Sequence, residues 1–233
     1  MPIPGLPMLA DQGERFDRAC AAELASRGAD VVITYSSDKS GVEPAAVVAQ
    51  FKKLGVRALP VQSDASSWTW SSVTFPVDQN LKSEYDRIFA INTEGVFFLV
   101  ISALDLGLLR DHGRIIEITS VASLHGMPKG GVYGASKEAL EAISRSSELG
   151  PRNITSNSVA PGPVVRAMFE SFVSGDAGKV IKVVMIGNTA LGRLANPSPL
   201  LPALKIVGFL ASPASQWITG QSIQASGGMT KSL

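Results

Sequence analysis

The chain has 233 residues, of which 45% are hydrophobic and 18% charged, and its formal net charge is +1. This length and composition indicate one compact domain spanning residues 1–233 and exclude general disorder. The near-zero charge argues against a nucleic-acid or anionic-membrane partner, because such partners usually select a basic surface. A single cysteine, Cys20, excludes an intramolecular disulfide, and beside only two histidines it predicts no metal site.

The N-terminal residues contain no targeting signal that we recognise. Residues 1–7 include three prolines and have neither a basic flank nor an unbroken apolar stretch, so they make a poor secretory signal. No segment reaches about 18 uninterrupted apolar residues, the length that a membrane span needs. We therefore expect a cytoplasmic protein without a membrane span.

The first half of the chain alternates predicted helices and strands. Apolar residues at helical spacing predict a helix over 16–27, which Gly28 ends, and a buried strand follows over 30–35. A second helix is predicted over 47–54 and a short strand over 58–62. Such alternation is typical of an α/β fold, in which helices cover both faces of a parallel sheet.

The second half continues this alternation. Residues 84–106 predict a long helix with an apolar face, and residues 114–120 predict a buried strand that ends in hydroxyl residues. A glycine-rich loop and another helix follow.

Three residues in this half form the most informative motif. Tyr133 and Lys137 lie at positions i and i+4 of a predicted helix and therefore share one face. An ordinary tyrosine has a pKa of about 10, and a neighbouring cation lowers it toward the range useful for proton transfer. Ser120, thirteen positions before Tyr133, provides a second hydroxyl at the end of its strand. The set predicts proton transfer at a carbonyl or alcohol oxygen.

The order and spacing of these residues resemble the short-chain dehydrogenase/reductase family. The resemblance extends to residues 91–98, where Asn92 matches the asparagine of the family, and to residues 157–164, which resemble its nicotinamide-contacting segment. It implies that Tyr133 donates a proton, Lys137 lowers the tyrosine pKa and holds a ribose, Ser120 orients the carbonyl, and Asn92 supports a water relay. The implied fold is a Rossmann-like doubly wound parallel sheet.

The resemblance also implies a nicotinamide cofactor. After the second strand, in Tyr35–Lys39, no acidic residue stands at the position expected to bind a ribose 2′-hydroxyl. Hydroxyls with Lys39 favour a 2′-phosphate there, so NADP is predicted over NAD. Asp64 stands where the family binds the adenine amino group. The predicted cofactor-binding residues are Tyr35, Ser36, Asp64, Tyr133, Lys137 and Val164.

Two segments depart from the family pattern. Arg15 and Asp17 stand at two positions of the glycine-rich turn that normally holds the pyrophosphate. The stretch between Asp64 and Asn92 is too short for the expected helix, strand and loop, so the first and fourth strands are predicted to be missing or replaced. Besides the oxidoreductase, two alternatives stay open: a non-redox or inactive homologue (a partner-binding subunit, isomerase or cyclase) and the product of a truncated gene.

The substrate and assembly follow from the resemblance alone. The second half of the chain is similar to the branch of the family that reduces aromatic polyketides in fungal secondary metabolism. A small carbonyl or alcohol substrate, with a lid near residues 168–186, is therefore expected. The family also implies a homodimer or homotetramer.

Overall fold

The computed structural model describes residues 8–11, 15–35, 44–62, 82–127, 129–164, 175–195 and 202–230. Within them, parallel strands alternate with helices. The strands are β1 (Met8–Asp11), β2 (Val31–Tyr35), β3 (Ala58–Gln62), β4 (Arg114–Ile118), β5 (Thr155–Pro161) and β6 (Ser222–Ala225). The α-helices are α1 (Arg15–Ser26), α2 (Pro44–Lys52), α3 (Lys82–Phe89), α4 (Gly95–Asp105), α5 (Gly131–Ser144), α6 (Gly175–Asn188) and α7 (Pro202–Leu210).

In the described residues the strands form two three-stranded sheets. The strand orders are β1-β2-β3 and β4-β5-β6, and every pairing is parallel. This arrangement confirms the predicted α/β class with a parallel sheet. The sequence predicted that the first strand is missing or replaced, yet a short β1 begins directly after Pro7 and pairs with β2. Because the prolines lie before it, each backbone N–H of Met8–Asp11 remains able to join a ladder. A fourth strand would fall within 63–81, outside the described residues.

Helix α1 connects the cores of the two sheets. Its Cys20 and Leu24 pack into an apolar cluster with β5 and α7, where Val159 and Val207 are fully buried. Its Ala21 and Ala25 belong to a second cluster, with Phe51 of α2 and the start of β2. Adjacent faces of one helix therefore pack into two apolar cores.

The two faces of the β4-β5-β6 sheet differ in polarity. Ile116, Ile118 and Val159 face the apolar cluster with α1 and α7. The alternate residues Glu117 and Ser158, which are cross-strand neighbours, are buried against α5 on the opposite face. Helices thus cover both faces of this sheet, and α5 covers the polar one.

The long helix predicted over 84–106 is present but changes its winding. Helix α3 passes through a π-helical turn, Ala90–Glu94, into α4. A π turn is rare and is frequent at functional sites. The combined run Lys82–Asp105 is long and apolar enough to cross a membrane by length and composition, and little of its most apolar window is buried.

Candidate active site

Ser120 stands just beyond the carboxyl end of β4. It begins the short 3₁₀ helix Val121–Ser123, and its Oγ accepts a hydrogen bond of 3.2 Å from the backbone N–H of Ala122. A serine in this position satisfies a helix N-terminal donor that has no partner within the helix. The bond holds the Ser120 hydroxyl near the strand end.

Tyr133 and Lys137 lie on the first turns of α5. The Lys137 side chain is only 4% exposed, and its Nζ donates a hydrogen bond of 3.2 Å to the backbone O of Ile118. The Tyr133 side chain is half-buried one turn earlier on the same helix. The ammonium group is therefore held at the strand end that leads into Ser120.

Gly134 allows α5 to lie directly against the Ser120 segment. A Cβ atom at this position would fall well inside contact distance of the Ala122 carbonyl O, a backbone atom that a rotamer change cannot move away. Only glycine permits this approach without displacing backbone. The residue next to Tyr133 thus contacts the segment that begins with Ser120.

Asn92 reaches the same helix from the π-helical turn. Its Nδ2 donates a hydrogen bond of 3.0 Å to Ser136 Oγ, which in turn donates to the backbone O of Tyr133 at 2.8 Å. Thr93 Oγ1 adds a bond of 2.9 Å to the backbone O of Ser136. The structure therefore brings Asn92 against the helix that contains Tyr133 and Lys137, through the serine that precedes Lys137.

The predicted cofactor residues are described only in part. Val164 is buried just beyond β5, and its backbone forms a bridge with Ala195. Tyr35 is the last residue of β2, and its side chain lies outside the described part, as do Ser36 and Asp64 entirely. Helix α1 begins at Arg15, so Arg15 and Asp17 belong to its first turn.

The described donors fit the nicotinamide riboside half of a dinucleotide. The Lys137 ammonium at the carboxyl end of β4 and the Tyr133 phenol one helical turn away are groups that can hydrogen-bond ribose hydroxyls, and ligands of such sheets bind beyond the strand ends. Residues 12–14, between β1 and α1, lie outside the described residues. The described residues that could hold the nicotinamide riboside are therefore Lys137, Tyr133 and Val164.

A buried polar layer lies behind these residues, between α5 and the sheet. Burial raises the pKa of the Glu117 carboxyl to about 7, and the nearby Glu141 carboxyl adds to the rise against hydrogen bonds from Ser144 and Ser158. Ser158 Oγ is 3.5 Å from Glu117 Oε2, and Ser144 Oγ is 3.3 Å from the Ser156 hydroxyl. The buried face of α5 therefore packs against the sheet through hydrogen bonds.

The sequence alone did not identify the residues that support Ser120, Tyr133 and Lys137. Gly134 and Ser136 stand inside the Tyr133–Lys137 motif, and their small size was the available signal of close packing. Glu117 and Glu141 occur at apolar-face positions of a strand and a helix. The sequence shows that a charged residue occupies such a position, but it does not show which groups the side chain contacts in the fold.

Comparisons with known proteins identify the family of the chain. A family model of the short-chain dehydrogenase/reductase type, described as enoyl-(acyl carrier protein) reductase, matches residues 71–230. The hydroxynaphthalene reductase-like protein Arp2 of Metarhizium brunneum is 31% identical, with 95% of this chain and 93% of that protein covered. The versicolorin reductase stcU of Emericella nidulans is also 31% identical, with 95% and 94% covered.

A solved structure agrees in fold as well. The angucycline C-6 ketoreductase LanV with bound NADP has a TM-score of 0.79 and 28% identity, over 97% of this chain and 96% of that one. The matches to the family model and to the two fungal proteins each cover well over half of the chain. The chain therefore belongs to the short-chain dehydrogenase/reductase family, where it is similar to fungal polyketide-type reductases.

Proposed function

We propose that this oxidoreductase is an NADP-dependent ketoreductase acting on a small aromatic polyketide. The observation that supports it best is the close approach of α5 to the Ser120 segment at Gly134, with Lys137 Nζ bonded to the end of the same strand. Three groups that proton transfer at a carbonyl needs are thereby held on adjoining backbone segments.

The chain's own residues would manage the substrate oxygen and its proton. Bound NADPH supplies a hydride to the carbonyl carbon. The Ser120 hydroxyl orients the carbonyl oxygen by a hydrogen bond, and the Tyr133 hydroxyl donates the proton that completes the alcohol. Lys137 stabilises the phenolate that remains, and Asn92 supports a water relay that returns a proton.

The preference for NADP and the substrate class have separate support. Ser36 and Lys39 follow β2, no acidic residue stands at the position that would bind a ribose 2′-hydroxyl, and the similar ketoreductase LanV was solved with NADP. The names of the two fungal relatives, a hydroxynaphthalene reductase-like protein and a versicolorin reductase, support a fused aromatic ketone. Helix α6 lies in the segment predicted as the lid, and it exposes Val180, Val183 and Val184 on one face. This apolar face matches such a substrate in polarity.

We also propose a cytoplasmic homo-oligomer. Helix α4 exposes Phe97 and Phe98, with 39% and 55% of their surfaces accessible, on a run whose apolar residues are mostly unburied in a single chain. Contiguous exposed apolar surface favours association with a second protein surface. In this proposal the second surface is another copy of the chain.

A nucleotide titration tests the proposal directly. Purified, folded protein is titrated with NADPH and with NADH while nucleotide fluorescence and melting temperature are recorded. Saturable NADPH binding that raises the melting temperature, with weaker binding of NADH, is expected. Absence of binding at millimolar NADPH would remove the reductase from consideration.

One observation favours a second candidate, a non-redox homologue that keeps the pocket. Asp17 lies in the first turn of α1, where an acidic side chain is favourable for the helix dipole but repels a phosphate at the same end. An isomerase, a cyclase or a partner-binding subunit needs no nucleotide there. This candidate predicts a folded protein that fails the NADPH titration, and Asp17→Gly would then restore measurable nucleotide binding.

A further inference from the structure

A chain of hydrogen bonds leads from the buried layer to the backbone of Ser120. Ser123 Oγ lies 2.9 Å from Glu141 Oε1 and 2.7 Å from the backbone O of Ser120. Glu141 is 1% exposed and stands one turn beyond Lys137 on α5. A carboxyl group thus contacts, through one hydroxyl, the residue that begins the 3₁₀ helix.

The number of protons available to the Ser123 hydroxyl limits which of its two hydrogen bonds can form. A serine hydroxyl has one proton to donate, whereas the Ser120 carbonyl can only accept. When the Glu141 carboxyl group donates to Ser123, the Ser123 proton is left for the Ser120 carbonyl and both bonds form. When the carboxyl group only accepts, the two oxygens compete for one proton. A side chain that can donate at position 141 therefore completes the connection.

We propose that Glu141 is a positioning residue that, through Ser123, holds the Ser120 segment in register with α5. It acts through Ser123, because its carboxyl group faces the interior rather than the strand end where a substrate would bind. The inference depends on the proposed function only for its effect on turnover, since the position of the Ser120 segment can be measured without any substrate.

The variants separate hydrogen bonding from charge and from volume. Glu141→Gln offers a permanent amide donor in place of the carboxyl group, whereas Glu141→Met keeps the length and removes hydrogen bonding. Ser123→Ala breaks the same chain at its other link, and Ser123→Thr retains the hydroxyl. Ser144→Ala is the matched control, because it removes buried hydrogen bonds of α5 to Ser156 and Glu117, neither of which involves Ser123 or Ser120.

Amide hydrogen exchange of the full chain measures the position of the segment. The backbone N–H of Ser123 donates to Ser120 O at 3.0 Å, and that of His125 donates to Val121 O at 2.7 Å, so both amides report on this turn. We expect exchange there to become about five- to tenfold faster in Glu141→Met and Ser123→Ala. Glu141→Gln, Ser123→Thr and Ser144→Ala should leave it unchanged. Equal exchange in Glu141→Met and the native chain would overturn the proposal.

Kinetics provide the second readout. In Glu141→Met and Ser123→Ala, kcat should fall by about tenfold or more while the Kd for NADPH is retained, because misplacing a catalytic group costs rate rather than cofactor binding. Glu141→Gln should keep kcat close to the value of the native chain. A native chain without reductase activity would count against the proposed function alone, and the exchange measurement would then decide the role of Glu141.

Discussion

Gly134 is the residue at which α5 comes closest to the backbone that follows Ser120. A side chain there cannot be accommodated by rotation, because the atom that it would meet is the carbonyl O of Ala122. Tyr133 and Lys137 flank this contact, so their distance from Ser120 depends on it. Small residues inside a catalytic motif can thus set its geometry.

We expect Gly134→Ala to destabilise the protein by about 1 to 3 kcal/mol and to lower kcat, because the added Cβ forces backbone apart. Denaturant unfolding and steady-state kinetics measure both effects. Gly187→Ala is the control, since that helical glycine has open space where a Cβ would stand and should gain up to about 1 kcal/mol of helix propensity. Equal stability changes in the two variants would contradict the role of the close approach.

Tyr133→Phe tests the proton donor. The variant keeps the ring and removes the hydroxyl, so turnover should fall by a factor on the order of 10² to 10⁴ while the affinity for NADPH stays nearly unchanged. Single-turnover reduction and nucleotide titration measure the two quantities separately. Retained turnover would remove Tyr133 from the proposed role.

Glu117 links stability to pH. Its pKa is about 7 in the folded chain against an ordinary value of 4.5, so the folded state keeps a proton that the unfolded chain loses. The stabilising contribution of Glu117 to the free energy of unfolding is fully present below pH 4.5 and is lost as the pH rises through 7. Glu117→Gln should therefore gain stability relative to the native chain over this window, by on the order of 3 kcal/mol at most.

Chemical denaturation at several pH values between 4 and 8 measures this difference. Glu138→Gln on α5 is the control, because that carboxyl group is only partly buried and pairs with Arg145. Parallel pH profiles for Glu117→Gln and the native chain would show that Glu117 does not retain its proton on folding.

At the scale of elements, the π-helical turn and α5 act as one support for the motif. The turn brings Asn92 and Thr93 against Ser136, whereas an uninterrupted α-helix would rotate one of them away from that serine. The winding of a helix and the placement of an adjacent catalytic helix are therefore coupled.

We expect Asn92→Ala to lower the free energy of unfolding by about 1 to 3 kcal/mol, because it removes a buried donor from Ser136. Ser102→Ala on α4 is matched to it, since that exposed hydroxyl donates to Phe98 O of its own helix and its loss should change stability by less than about 0.5 kcal/mol. Thermal or denaturant unfolding compares the two, and similar losses would argue against a support role for Asn92.

At the scale of the whole molecule, polar and apolar packing are divided between faces. Helix α1 joins two apolar cores, and α5 joins the sheet through hydrogen bonds. No apolar residue of α4 belongs to either described core, and Phe97 and Phe98 are exposed. These two rings are the surface that the proposed assembly would cover.

Phe98→Glu tests the proposed assembly. A charge at this exposed aromatic should repel a second copy and lower the sedimentation coefficient toward that of a monomer, with little change in the melting of the single chain. Leu54→Glu is the control, because Leu54 is similarly exposed beyond α2 and distant in sequence from α4. Identical sedimentation of Phe98→Glu and the native chain would place any interface elsewhere.

Local patterns were sufficient for the elements and for the motif. The helices around 16–27 and 47–54, the strands over 30–35 and 58–62, and the spacing of Ser120, Tyr133 and Lys137 follow from side-chain periodicity, which is a property of neighbouring residues. The α/β class and the family followed from their order. The sequence by itself therefore determined the order of the elements and supplied the candidate residues of the site.

Only the tertiary structure decided how the site is held. Asn92 meets Ser136, Ser123 meets Glu141, and Glu117 meets Ser158, across separations of 44, 18 and 41 residues. Burial and the loss of water around Glu117 exist only once α5 packs on the sheet, so neither its raised pKa nor its partners can be read from local pattern. Desolvation and long-range hydrogen bonding are properties of the folded chain, and they determine the position of the motif that the sequence revealed.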